Sequence, residues 1–126
     1  MIAGIGTDIV SITRVRASLE RHGEAFAERI LAPSELLEFR AVRDGARLLA
    51  KRFAAKEAFA KAFGTGLRAP ATLHAIAVGH DELGKPVYVF DAPLAAAMGE
   101  RHWSAHLSIS DEKDNVVAFA LIERLA

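Results

Sequence analysis

Asp8 is the first residue that could do chemistry. It stands in GIGTDIV, residues 4–10, inside an otherwise apolar, strand-like run. Alternate residues of a strand share a face, so Asp8 lies with Ile2, Gly4, Gly6 and Val10. An unpaired carboxylate on such a face is costly. Either Asp8 ends the strand or something pairs with it. Glu57 is the second carboxylate of interest. Leu49, Phe53, Glu57 and Lys61 are spaced by four and form one helix ridge that begins apolar and ends charged. One reading is an ion pair between Glu57 and Lys61, worth roughly a few tenths of a kcal/mol. The other is a carboxylate that binds a metal or takes a proton, beside a lysine that holds phosphate. Asp8 and Glu57 could then share one Mg²⁺, which is typically held by one or two carboxylates plus waters and substrate phosphates.

Other constellations fail on spacing. GIGTDI resembles the start of a dinucleotide fingerprint, but Ile9 stands at the third glycine position. There is no Walker A motif. His102 and His106 have the spacing of a helical zinc pair but lie in a strand-like segment, where four residues span roughly 13 Å. Ser108, His106 and Asp111 lack the nucleophile elbow of a hydrolase. No aromatic and basic platform suggests nucleic-acid binding.

The elements that must position these residues are legible. Residues 2–10 read as a strand, and Ser11 or Thr13 caps a helix starting near Arg14. Val15, Leu19, Phe26 and Ile30 keep an approximate helical spacing, with Gly23 as a break. Pro33 suits the first turn of another helix. RLLAKRFAAKEAFAKAFGTG is rich in strong helix formers, and Gly64 and Gly66 are its stop signals. LHAIAVGH and KPVYVF read as strands around DELG, APLAAAMGER as a short helix, and HWSAHLSIS and VVAFALIERL as strands around DEKDN. The order predicts an α+β fold: an antiparallel sheet packed with one long helix and shorter helices.

The 126 residues suggest a single domain over 1–126, and a composition 52% apolar and 25% charged suits a soluble globular protein. Zero formal net charge means that a charged partner must meet a local patch. Arg14 and Arg21, seven apart, share one helix face, with Arg16 nearby and Phe26 as an apolar edge. The absence of cysteine excludes disulfides and thiolate chemistry. The N-terminus lacks the basic segment of a signal peptide and no run spans a membrane, so a cytoplasmic protein is expected.

GIGTDIV followed, about fifty residues on, by KRFAAKEAFAKAFGTG resembles the holo-acyl-carrier-protein synthases, the short, single-domain branch of the 4'-phosphopantetheinyl transferases. The pattern is a G-x-D on the first strand, with Asp8, and a K-E-A-x-x-K on a long helix, with Lys56, Glu57, Ala58 and Lys61. LGKP at 83–86 and HLSIS at 106–110 match in order, and the resemblance covers nearly the whole chain. One departure is Asp111, where many relatives have another histidine.

The resemblance implies transfer of the phosphopantetheine arm of coenzyme A to a serine of an apo acyl carrier protein, with release of 3',5'-ADP, in fatty-acid or polyketide synthesis. It implies Mg²⁺ on Asp8 and Glu57, with Glu57 as candidate base and Lys61 stabilising developing charge. Arg52, Lys61, Gly64, Lys85, Pro86, His106 and Ser108 become candidate coenzyme A contacts. Arg14, Arg21 and Phe26 become the docking face for an acidic, helical carrier protein. A homotrimer with active sites at subunit boundaries is also implied. Two other readings are a non-catalytic carrier-binding module and a Mg²⁺-dependent hydrolase of coenzyme A or another nucleotide.

Overall fold

A computed structural model describes residues 1–126. In chain order the elements are β1 (Ile2–Ser11), α1 (Ile12–His22), α2 (Glu24–Ile30), α3 (Pro33–Ala41), α4 (Gly45–Phe63), β2 (Ile76–His80), β3 (Pro86–Phe90), α5 (Ala92–Glu100), β4 (Trp103–Asp111) and β5 (Asn115–Arg124). Side-chain signals set several boundaries. Ser11 accepts from the Arg14 amide, so α1 begins at Ile12, two residues before the expected start. Gly23, at φ +67°, separates α1 from α2 in the left-handed region that glycine tolerates. Asp44 caps α4, and Gly64 ends it.

The expected α+β architecture is present, with one difference. The strands form two antiparallel sheets: β1-β5-β4 and the hairpin β2-β3. β1 runs against β5 from Ser11 opposite Asn115 to Ile2 opposite Glu123, and β4 flanks β5 on the other side. β2 is also shorter than LHAIAVGH suggested. Leu73–Ala75 lie in a turn in which the Ala75 amide donates to the Thr72 carbonyl and hydroxyl.

The core lies between α4 and the inner face of β1-β5-β4. Ala54, Ala55, Ala58 and Ala62 of α4 share one buried cluster with Val116, Ala118, Ala120 and Ile122 of β5. These small side chains let helix and sheet approach closely. Leu49, Phe59 and Ile122 are fully buried, each contributing roughly 1.5–3 kcal/mol by leaving water. Phe59 also packs against Phe63, Tyr88 and Phe90, joining the hairpin to this core. The outer face of β1 and β5 is apolar yet open: Ile5, Ile9, Val117 and Phe119 are all exposed, Ile9 by 67%. No helix is long and apolar enough to cross a membrane.

Candidate active site

Burial along β1 alternates as the strand period requires. Gly6 and Val10 are buried, Gly4 and Asp8 half-buried, and Ile5, Thr7 and Ile9 exposed. The two glycines have a definite purpose. A Cβ on Gly4 would meet the Ala62 carbonyl oxygen at 2.0 Å, and one on Gly6 would meet the Ala58 oxygen at 2.1 Å. Only a strand without side chains at these points can lie flat on α4. Asp8, two residues further on the same face, is thereby delivered to the charged end of the α4 ridge.

Lys61 does not take the intrahelical partner that its spacing offered. Its ammonium reaches across to β1, donating to Thr7 O at 2.9 Å and Asp8 Oδ1 at 3.2 Å. The pairing is half open to solvent, with side-chain exposures of 51% for Lys61 and 17% for Asp8. Something does pair with Asp8, and the strand continues beyond it to Ser11. Glu57 feels both neighbours. Burial pushes its carboxyl pKa up, Asp8 pushes it further, and Lys61 opposes them.

Asp8 and Glu57 line one cavity of about 590 Å³, together with Arg14, Phe26, Arg29 and Phe53. No group of three or more His, Asp and Glu side chains gathers to form an all-protein metal cage. A donor set of two carboxylates lining one cavity suits Mg²⁺, a hard cation that takes few protein oxygens and completes its shell with water and phosphate.

The other anticipated residues are dispersed. Arg14 and Phe26 border the cavity, while Arg21 stays exposed on the same face of α1. Arg16 is drawn away to Asp44 at 3.2 Å. Arg52 is not on a solvated helix face. It is 3% exposed, bonded to Glu38 at 2.8 Å, and its Nε is buried without a hydrogen-bond partner. Arg52 and Pro86 line a second cavity of about 440 Å³, which shares no residue with the first. Lys85 is exposed in the turn, where its amide donates to Asp81.

Two further groups of candidate residues lie away from the carboxylates. The amides of Gly64 and Gly66 both donate to Ala60 O, so GTG caps α4, as its stop signals predicted. His106 and Ser108 do share a face of β4, but it is the outer one. The sheet separates them from Asp8 and Glu57 within one chain. His106 Nε2 instead lies 2.8 Å from Glu123 on β5.

Several bordering residues escaped sequence reasoning. Arg29 and Leu73 line the first cavity, yet neither stands in a periodic or motif context. Arg47 and Lys51 line the second. Their i,i+4 spacing beside Arg52 was the available signal. Asp111, left without a role, binds Arg47 at 2.6 Å and Lys51 at 3.5 Å. Burial alone would raise its pKa, but these cations outweigh it and hold the carboxyl low.

Comparison with known proteins shows the family and the fold. Residues 4–120 match the 4'-phosphopantetheinyl transferase superfamily. A holo-[acyl-carrier-protein] synthase of Azoarcus sp. (strain BH72) is 66% identical over 123 residues, spanning 98% of each chain. The crystal structure of the holo-[acyl-carrier-protein] synthase from Neisseria meningitidis superposes with a TM-score of 0.94 at 50% identity, covering 98% of this chain and 100% of that one. A Bacillus anthracis holo-(acyl-carrier-protein) synthase in complex with CoA (3',5'-ADP) gives a TM-score of 0.84 at 34% identity over 99% of each chain. With the two motifs placed at the β1–α4 contact, this chain belongs to the 4'-phosphopantetheinyl transferase superfamily, among its holo-[acyl-carrier-protein] synthases.

Proposed function

We propose that the chain transfers the 4'-phosphopantetheine arm of coenzyme A to a serine of an apo acyl carrier protein, with Mg²⁺ held by Asp8 and Glu57. The observation that carries this reading is the meeting of Asp8, Glu57 and Lys61 where β1 crosses α4, beside a cavity of about 590 Å³. Phosphoryl transfer depends on positioning and charge neutralisation more than on covalent catalysis. When bound, the cation supplies neutralisation of the pyrophosphate oxygens.

The chain's own groups then have defined work. The serine oxygen attacks the β-phosphorus of coenzyme A, a P–O bond forms, the bond to the bridging oxygen breaks, and 3',5'-ADP leaves. Glu57 takes the serine proton. Burial and the Asp8 charge raise its proton affinity above that of an ordinary carboxylate. Lys61 donates to the phosphate oxygens as charge builds on them. Arg14, Arg21 and Phe26 receive the acidic carrier protein beside the cavity.

The nucleotide end of coenzyme A belongs, in this reading, to the second cavity, with Lys51, Arg52 and Pro86, and to the outer face carrying His106 and Ser108. One chain holds these apart from the carboxylates, so the complete site is assembled between chains. The exposed Ile5, Ile9, Val117 and Phe119 on that outer face support a homotrimer with sites at its subunit boundaries.

Intact mass spectrometry of an apo acyl carrier protein tests the reaction. It is incubated with this protein, coenzyme A and Mg²⁺, with and without EDTA. A gain of one phosphopantetheine arm that EDTA prevents is expected. Coenzyme A cleavage without any gain favours the hydrolase, and tight carrier binding with neither favours a docking module.

A further inference from the structure

Lys56 is a buried cation that the proposed chemistry does not use. It precedes Glu57 in sequence, yet its side chain is fully buried while Glu57 borders the cavity. Successive helix residues diverge by about 100°, so the two project in different directions from α4. An ammonium has three N–H donors. All are satisfied, by Glu35 Oε1 at 2.6 Å, Leu73 O at 2.7 Å and Ile30 O at 2.8 Å. Glu35 is equally buried and also well bonded. Its Oε1 accepts from the Ala32 amide and its Oε2 from the Val78 amide, each at 2.9 Å. Two side chains thus join α2, α3, α4, β2 and the segment before β2.

Two of the three acceptors on Lys56 belong to walls of the candidate active site. Ile30 and Leu73 both line the cavity that contains Asp8 and Glu57. Ile30 is the last residue of α2, where carbonyls lack intrahelical donors. Leu73 lies outside any helix or strand. Lys56 gives both carbonyls a fixed, directional partner.

Stability alone does not demand this arrangement. Replacing a buried ion pair by apolar residues of similar volume is often neutral or stabilising. What apolar residues cannot reproduce is three directional bonds that set the distance from α4 to two separate cavity walls.

We propose that Lys56, anchored by Glu35, is a positioning residue: by holding the Ile30 and Leu73 carbonyls it sets the width of the cleft in which the carrier-protein serine meets Glu57. This rests on the transferase reading above. The test is the double variant Glu35→Gln with Lys56→Met, which leaves neither charge of the pair buried and unpaired, while Arg52, 3.8 Å from Glu35, keeps its 2.8 Å bond to Glu38. Thermal unfolding, Mg²⁺ affinity by calorimetry, and KM for carrier protein and for coenzyme A are measured separately on the unmodified and variant chains. A KM for carrier protein raised on the order of tenfold is expected, with KM for coenzyme A and Mg²⁺ affinity within about twofold. A lowered melting temperature with unchanged kinetics in the folded protein overturns the proposal. So does a parallel loss in both KM values and in Mg²⁺ affinity. If the double variant does not fold, Lys56→Gln, which keeps a donor for one carbonyl, is measured in the same way. Unfolding of both variants also overturns it, because the pair is then a stability element. Absence of transfer by the unmodified chain defeats the transferase reading itself.

Discussion

Gly6 lies directly against the backbone of Ala58, so close that a Cβ on Gly6 would stand 2.1 Å from the Ala58 carbonyl oxygen. The carbonyl belongs to the interior of α4 and cannot turn aside. Gly6→Ala must therefore push strand and helix apart. We expect a loss of at least about 1–3 kcal/mol in denaturant unfolding. Mg²⁺ affinity by calorimetry should also fall, because Asp8 and Glu57 sit on the two separated elements. Gly99→Ala is the control. It is helical with nothing within 4 Å of the added Cβ, and should be neutral or stabilising by up to about 1 kcal/mol.

Asp8→Ala and Glu57→Ala should each abolish carrier-protein modification in the mass-spectrometric assay while leaving the circular dichroism spectrum unchanged. Neither side chain is part of the buried core. Near-normal turnover by either variant would remove the shared-cation reading.

The raised Glu57 pKa has a stability consequence. Its first cause is burial and its second is the charge of Asp8. A carboxyl with a higher pKa in the folded state binds protons more tightly there than in the unfolded chain. Ionisation of Glu57 therefore costs stability, and the cost develops as pH rises from the ordinary carboxylate range through the raised folded pKa. Glu57→Gln should melt higher than the unmodified chain at pH 7 without added metal. The difference should shrink as pH falls below the ordinary carboxylate range. Equal melting temperatures at every pH would contradict the assigned shift.

Arg14→Glu with Arg21→Glu should raise KM for carrier protein more than KM for coenzyme A. Both residues are exposed on one face of α1, and Arg14 borders the cavity. The wild-type effect should weaken in high salt, since exposed charges are screened within about 10 Å at 0.1 M. Equal losses in both constants would remove the docking assignment.

Phe119→Glu addresses assembly. Phe119 is exposed on the outer face of β5, opposite Thr7 on β1 and Ser108 on β4. Sedimentation should report a trimer for the unmodified chain and a monomer for the variant. The monomer should lose transfer although Asp8 and Glu57 are untouched.

By itself, the sequence determined the elements and the chemical inventory. Strand alternation, the glycine stops, Ser11 before α1, Pro33 at the start of α3 and the alanine-rich α4 are local signals, because hydrogen-bond geometry and backbone sterics act over a few residues. The carboxylates Asp8 and Glu57 and their lysine stood out for the same reason, as charges at defined points of a strand face and a helix ridge. Only the tertiary structure decided which charges meet. Lys61 had Glu57 within local reach but pairs with Asp8, because Gly4 and Gly6 remove the side chains that would hold β1 off α4. Lys56 stood only as a motif residue and Arg52 as a candidate coenzyme A contact, and burial against Glu35 and Glu38 of α3 was visible for neither. His106 and Ser108 share a strand face as their spacing required, but which side of the sheet that face covers depends on pairing with β5. Such contacts join residues far apart in the chain, so they follow from the packing of whole elements.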